Sequence, residues 1–227
     1  MADSLFDLLL PATCLWCQAA PALLCQECVS TLPAAHIPLV RGDTERPFRG
    51  AAFTQLDSRA SSLLHEVKDR HQTAFLRALG KPMAASFDFW LSELGLQSAR
   101  LVPIPASAHG WRSRGFNVAE LIARELFRHS RFSLELSRVL GYAREVDDQR
   151  ALNAGQRAEN LSGAFEVVRP SRFKNSPPIV IVDDVVTTGA TILAARAALD
   201  EGGFPSVGFF GFAETFLKNA PRSSKWV

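Results

Sequence analysis

Two carboxylates, three hydroxyls and a glycine fall within nine consecutive positions towards the end of the chain. In order they are Asp183, Asp184, Thr187, Thr188, Gly189 and Thr191. Threonine hydroxyls, a glycine that permits close approach and the free N–H groups of a helix start together favour a phosphate monoester. The carboxylates would repel phosphate, but they can accept hydrogen bonds from ribose hydroxyls. The segment is therefore predicted to bind a sugar phosphate.

Helix capping is the structural alternative for these side chains, because Asp and Thr are common at helix starts. A cap needs one such residue, whereas this segment has five polar side chains and a glycine. Neither the Gly-Lys-Ser/Thr pattern of a Walker loop nor the Gly-x-Gly-x-x-Gly dinucleotide pattern is present. A sugar-phosphate site explains the pattern better than a cap does.

The four cysteines form a second group of residues that could carry chemistry. Cys14 and Cys17 make one Cys-x-x-Cys pair, and Cys25 and Cys28 make another. Four thiolates can surround a tetrahedral Zn²⁺, and a closed set of four predicts a structural metal. Two disulfides and a redox Cys-x-x-Cys are the alternatives, and a reducing compartment disfavours the disulfides.

Alternating strands and helices must position these groups. Strands are predicted over 50–56, 100–104, 164–168, 177–182 and 207–212, and helices over 58–68, 74–94 with a break near 80–82, 116–127 and 190–200. The stretch 33–38 is predicted as loop, and the polar run 142–163 as a mobile loop. This alternation predicts an α/β fold with a mostly parallel sheet flanked by helices. In such sheets ligands bind at the carboxyl ends of strands, where residues 183–191 lie.

Composition narrows the class of protein. Hydrophobic residues make up 47% and charged residues 21%, and the net charge is only +2, so neither a membrane protein nor a generic nucleic-acid binder is indicated. Asp3 and Asp7 stand where a secretory signal would be basic, which favours a cytoplasmic protein without a membrane span. The length suits a small cysteine module over 1–45 and one α/β domain over 46–227.

The uninterrupted segment from Ile179 to Thr191 resembles the 5-phosphoribosyl pyrophosphate (PRPP) signature of type I phosphoribosyltransferases. Further short blocks at 101–105, 112–120, 149–152, 157–160 and 163–165 are similar to the ComF family of competence-associated proteins, which includes the GntX-like group. The resemblance runs from about Leu9 to Ala213. It implies a type I phosphoribosyltransferase fold, an N-terminal cysteine cluster that binds zinc, and a link to DNA uptake.

The resemblance also implies roles for individual residues. Asp183 and Asp184 would act on the ribose as the catalytic pair. The substrate-binding residues would be Val185, Thr187, Thr188, Gly189, Ala190, Thr191, Pro105, Ala106, Ser107, Arg112 and Arg114. Within this set, Pro105 to Ser107 would face the pyrophosphate, with the two arginines nearby; solvated surface charge is the alternative for those arginines.

Two further segments follow from the resemblance. The run 142–163 would be a hood that closes over PRPP, with Arg144, Arg157 and Asn160 facing either the ligand or solvent. The family often has a Lys-Tyr-x-Gly-like stretch, and the aligned Val67-Lys-Asp-Arg-His71 keeps Lys68 but lacks the tyrosine and glycine.

Three functions fit these observations. The first is an enzyme that transfers phosphoribosyl from PRPP to a nitrogen acceptor, with Mg²⁺ bridging the pyrophosphate and the ribose hydroxyls. The second is a non-catalytic PRPP-binding adaptor that works with competence or DNA-processing proteins. The third is zinc-dependent binding of single-stranded DNA.

Overall fold

The protein is a helix-flanked, mostly parallel β-sheet with a cysteine cluster near its N-terminus. The computed structural model describes residues 12–32, 36–42, 45–144, 161, 163–168 and 177–215. Within these ranges the strands are β1 (Ile37–Arg41), β2 (Phe48–Gln55), β3 (Ser98–Pro103), β4 (Ser133–Leu136), β5 (Leu140–Tyr142), β6 (Phe165–Val167), β7 (Ile179–Val186) and β8 (Ser206–Glu214). The helices are α1 (Gln26–Ser30), α2 (Ser58–Asp69), α3 (Ala74–Ala78), α4 (Gly80–Glu93), α5 (Ala108–Arg114), α6 (Val118–His129) and α7 (Ala190–Glu201).

Six of the described strands form one sheet in the order β1-β2-β8-β7-β3-β4. Every neighbouring pair is parallel except β1 and β2, which are antiparallel. β5 and β6 form a separate antiparallel pair. The sheet confirms the predicted α/β class, and it places β7 in the interior of the sheet with a parallel neighbour on each side.

The core explains why β7 is almost purely apolar. Val180 and Val182 pack with the helices α2, α3, α4 and α6 on one face, while Ile179 and Ile181 pack with α7 on the other. Side chains alternate between the two faces of a strand, so a strand that is covered on both sides must be hydrophobic at every position. The apolar run was therefore a sound basis for predicting this strand.

The structure corrects several element boundaries. β7 continues through both aspartates to Val186, whereas the strand was predicted to end at Val182. β1 begins inside the stretch that was predicted as loop, and Pro38 is tolerated there because an edge strand leaves some N–H positions unpaired. β4 and β5 were not predicted, because their short sequences carry no clear alternation.

Helix α5 corrects a second prediction. No helix was predicted between the strand that ends at residue 104 and the helix that begins at residue 116, but residues 108–114 form a helix with a clear start and end. The Ser107 side chain accepts a hydrogen bond from the Gly110 N–H, and Gly115 ends the helix in the left-handed region with φ 72°. The break predicted at 80–82 falls one residue earlier, at Leu79, with Pro82 in the first turn of α4.

The cysteine segment packs against the α/β body. Leu24 is buried in the same core cluster as Phe53, and the Trp16 indole N–H donates to the Arg59 carbonyl at 3.2 Å. The Arg59 guanidinium in turn donates to the Thr31 hydroxyl at 2.7 Å. A domain boundary near residue 45 stays a prediction. In the described part of the chain, no helix combines the length and the apolar character that crossing a bilayer requires.

Candidate functional site

Asp183 and Asp184 lie near the carboxyl end of β7, and their surroundings differ. Asp183 is buried, and its Oδ1 accepts the Asp184 N–H at 2.8 Å; the Asp184 Oδ1 accepts the Val185 N–H at 2.7 Å. Burial, and then the neighbouring Asp184 charge, raise the pKa of Asp183 well above its ordinary value. The fold thus favours the protonated form of Asp183 more than an exposed position would.

Lys68 gives Asp184 the opposite character. Its ammonium lies 2.7 Å from the Asp184 Oδ2, and both side chains are 23% exposed. Burial alone would raise the pKa of Asp184, but the attraction and hydrogen bond of Lys68 outweigh it and lower that pKa. The sequence assigned no role to Lys68, although the family motif at 67–71 was the signal that could have pointed to it.

The hydroxyl-rich loop follows β7 directly and leads into α7. Gly189 is buried and adopts φ 86°, a conformation that glycine takes without strain, and it is the N-cap residue of α7. Its neighbours Thr187, Thr188 and Thr191 are partly exposed, as are Val185 and Ala190. The Ala190 N–H makes only a long contact of 3.4 Å to the Thr188 hydroxyl. The loop thus presents hydroxyls and weakly engaged N–H groups at a helix start, which suits an anion.

A second loop, 104–107, lies beside the first because β3 and β7 are adjacent. The Ile104 N–H donates to the Val182 carbonyl at 2.9 Å, and the Asn117 side chain donates to the Ile104 carbonyl at 2.8 Å. Pro105, Ala106 and Ser107 are partly exposed. The strand order therefore brings the predicted pyrophosphate loop next to the carboxylate pair.

Arg112 and Arg114 lie on α5 rather than in a loop. Arg112 is exposed, whereas Arg114 is half-buried and folds back against Gly110, where a Cβ would approach its Nη2 to 2.5 Å. Among the described residues, no hydrogen bond or ion pair joins either arginine to the carboxylates. Their roles in pyrophosphate binding stay predictions.

The predicted hood falls mostly outside the described residues, including Arg157 and Asn160. Its described beginning is Tyr142, at the end of β5, whose ring lies 4.9 Å from that of Phe165, and the exposed Arg144. Burial, with a further contribution from the Asp183 charge, raises the pKa of Tyr142 to about 12. The phenol is therefore neutral, and it interacts electrostatically with Asp183, which the sequence did not reveal.

The four cysteines come together as a cluster that could hold a metal ion such as zinc. Their sulfur atoms all lie within 4.8 Å of one another, and none is in a disulfide. Tetrahedral Zn–S bonds of ~2.3 Å put sulfurs ~3.8 Å apart, so the cluster needs little adjustment. The Cys25 N–H approaches the Cys14 sulfur at 3.4 Å, and the Cys28 N–H approaches the Cys25 sulfur at 3.4 Å.

Thiol ionisation in this cluster is uneven. Burial alone would raise the pKa of Cys14, but N–H donors led by Cys25 lower it to about 6. Burial and the neighbouring thiols raise the pKa of Cys28 to about 12. A metal that takes all four thiolates must therefore displace protons.

The arrangement defines a class of protein: an α/β protein with a mostly parallel sheet, an anion-suited loop after its central strand and an N-terminal four-cysteine cluster. No family model matches the chain. The DNA utilization protein YhgH of Escherichia coli O6:H1 is 30% identical over 190 residues, which is 81% of each chain. The protein of the same name from Salmonella typhimurium is also 30% identical over 81% of each chain.

A further relative carries the family name. Competence protein F of Haemophilus influenzae is 31% identical over 117 residues, 50% of this chain and 49% of that protein. With the coverage of the YhgH proteins, this similarity assigns the chain to the ComF family. The family predicted from the sequence is thereby confirmed.

Proposed function

We propose that this protein binds PRPP at the carboxyl end of β7 and transfers its phosphoribosyl group to a nitrogen acceptor. The observation that carries the proposal is the order of groups along the chain from the end of β7 to the start of α7. A carboxylate pair comes first, then threonine hydroxyls, then a left-handed glycine at the N-cap of α7. In this arrangement the 5-phosphate binds residues 187–191, and the ribose hydroxyls bind Asp183 and Asp184.

The charges of the site suit this ligand. The raised pKa of Asp183 makes it the better donor to a ribose oxygen, and the lowered pKa of Asp184 makes it the better acceptor. Lys68 holds Asp184 in place before the sugar arrives. The second loop, 104–107, is close enough in strand order to receive the pyrophosphate.

The proposed reaction breaks the bond between C1 of the ribose and the pyrophosphate oxygen. The acceptor nitrogen forms the new bond to C1, and pyrophosphate leaves with the electron pair of the broken bond. Any proton that the nitrogen carries passes to the solvent. The protein contributes by orienting the two partners and by stabilising the charge of the leaving group. Mg²⁺ bound with PRPP would neutralise pyrophosphate charge. We further propose that the metal of the cysteine cluster is a structural Zn²⁺.

A non-catalytic role is the second candidate. The relatives are named for competence and for DNA utilization, which supports a place for this chain in the handling of incoming DNA. A PRPP site that has lost turnover could then serve as a sensor that controls a protein partner. Single-stranded DNA is a further candidate ligand of the zinc module.

Calorimetry and product release separate these functions. Wild-type protein is titrated with PRPP in the presence of Mg²⁺, and pyrophosphate release is then measured with purine and pyrimidine bases as acceptors. The enzyme predicts binding and release with at least one acceptor. Binding without release with any of them would favour the adaptor, and no binding at all would exclude both.

A matched pair of threonine variants tests the phosphate loop. Thr188→Val should weaken PRPP binding by roughly tenfold, since it removes a hydroxyl donor to a charged group. Thr73→Val is the control, because Thr73 is also partly exposed beside a helix start and makes no capping bond. Equal affinity of the two variants would contradict the assigned phosphate position.

A further inference from the structure

Arg41, at the end of β1, is a buried arginine that reaches the loop after β7. It is only 5% exposed, and its guanidinium donates three hydrogen bonds. The Nε donates to the Thr187 carbonyl at 3.2 Å, the Nη1 donates to the Val40 carbonyl at 3.0 Å, and the Nη2 donates to the Glu214 Oε2 at 3.4 Å. One side chain thus connects an edge strand, the loop and the end of β8.

The aliphatic part of Arg41 makes a second contact with the same loop. A Cβ placed on Gly189 would lie 2.6 Å from the Arg41 Cγ and 2.7 Å from its Cδ. Real Cβ contacts are not this short, so only glycine allows the loop to rest on this side chain. Contacts at Thr187 and Gly189 fix the chain on both sides of Thr188.

Fixing the Thr187 carbonyl has a consequence for the next N–H group. The carbonyl of Thr187 and the N–H of Thr188 belong to one planar trans peptide, so they point in opposite directions. Because Arg41 binds the carbonyl, the Thr188 N–H is directed away from Arg41. If the peptide rotated, the carbonyl oxygen would take that place and would repel an anion.

The contacts that Arg41 makes account for its effect on the loop better than its positive charge does. Glu214 is 13% exposed, and its carboxylate pairs with the guanidinium, so the two formal charges offset one another. An arginine that worked through long-range attraction for phosphate would not need the contacts with Thr187 and Gly189.

We infer that Arg41 is a positioning residue for the 5-phosphate: it sets the Thr187–Thr188 peptide and the Gly189 backbone so that the loop presents its N–H groups to the ligand. The inference rests on the proposed function, since it assigns the loop a phosphate. It gives the edge strand β1 a part in the site, because this strand carries a residue that holds the loop in its binding conformation.

Two ligands and three variants test this role. Ribose 5-phosphate carries the 5-phosphate, whereas pyrophosphate with Mg²⁺ would use the separate loop 104–107. Arg41→Lys keeps the positive charge but lacks the Nε donor, and Arg41→Met removes both. Arg196→Met is the control. Arg196 lies on α7, donates to the Arg46 carbonyl at 3.3 Å and stacks on Phe48 of β2 at 4.5 Å; in the described part of the chain it makes no hydrogen bond or ion pair with residues 187–189.

The expected result is selective for ligand and for variant. Arg41→Lys and Arg41→Met should each weaken ribose 5-phosphate binding by about tenfold or more, which is the usual effect of losing a hydrogen bond that involves a charged group. Pyrophosphate binding should change by less than about twofold. The Arg196→Met protein should bind both ligands as the wild type does.

Several outcomes would overturn the inference. Wild-type affinity of Arg41→Lys for ribose 5-phosphate would show that the Nε contact is dispensable, and equal weakening for both ligands would indicate general damage to the fold. Should Arg41→Met fail to fold by circular dichroism, the Arg41→Lys comparison decides alone. Wild-type protein that binds pyrophosphate but not ribose 5-phosphate would instead refute the proposed phosphate site, and the inference with it.

Discussion

Asp183 and Asp184 are adjacent in sequence, but the fold shifts their pKa values in opposite directions. The pKa of Asp183 is raised, mainly by burial, and the Lys68 charge offsets this effect only in part; Asp184 is paired directly with Lys68, and its pKa is lowered. A pair of carboxyl groups with separated pKa values can donate and accept in the same site. This separation suits the proposed ribose site, since a ribose hydroxyl is both donor and acceptor.

The raised pKa of Asp183 predicts that Asp183→Asn stabilises the free protein. The unfolded pKa of an aspartate is about 3.9, so between that value and the raised folded pKa the folded state binds a proton that the unfolded state has released. The contribution of Asp183 therefore becomes less favourable as pH rises through this window. Replacement with asparagine should raise the melting temperature by about 2–4 °C at pH 8 and by less at pH 4.

Thermal melts at the two pH values measure this effect, with Asp184→Asn as the matched control. The control should lower the melting temperature, because it leaves Lys68 without its partner. If Asp183→Asn melted at or below the melting temperature of the wild type at pH 8, the burial argument would be contradicted.

The Lys68–Asp184 pair should show a measurable coupling energy. A double-mutant cycle with Lys68→Met and Asp184→Asn, followed by urea unfolding, should give about 1 kcal/mol or more, since both side chains are mostly buried. The Arg70–Glu66 pair involves the same helix, but the arginine is 66% exposed. Its cycle should give a smaller value, about 0.3–0.5 kcal/mol. Equal coupling in the two cycles would show that Lys68 is an ordinary surface lysine.

At the scale of elements, the sequence predicted what local patterns determine. The apolar run of β7 and the polar turn after it were sufficient to predict the strand, the loop and α7, because burial on both faces demands such a run. The same local pattern was not sufficient to predict the contacts of Lys68 and Arg41, which lie far from the loop in sequence. Those contacts depend on how α2 and β1 pack, and no local pattern carries that information.

The cysteine cluster is an element whose metal content can be measured directly. Purified protein should contain about one zinc per chain, and chelation should lower the melting temperature and change tryptophan fluorescence, because Trp16 packs between this segment and α2. Cys28→Ser should lose the metal, while Ser30→Ala, with its exposed hydroxyl on the same short helix, should keep it. A mass lower by four hydrogens and no metal would indicate two disulfides instead.

At the scale of the whole molecule, the sheet order brings separate parts of the sequence together at the carboxyl end of β7. β3 and β7 are neighbours, so the loops 104–107 and 187–189 lie side by side, and Lys68 and Arg41 come to the same region from α2 and β1. Tyr142, from the separate β5–β6 pair, interacts electrostatically with Asp183. A site assembled from this many elements should be sensitive to the packing of the whole fold.

A crystal structure with PRPP and Mg²⁺ tests the central claim most directly. The 5-phosphate should lie within hydrogen-bond distance of the backbone N–H groups and hydroxyls of residues 187–191, with the ribose hydroxyls on Asp183 and Asp184 and the pyrophosphate towards residues 105–107. A 5-phosphate bound away from the start of α7, or a soaked crystal with no PRPP at this edge, would contradict the account.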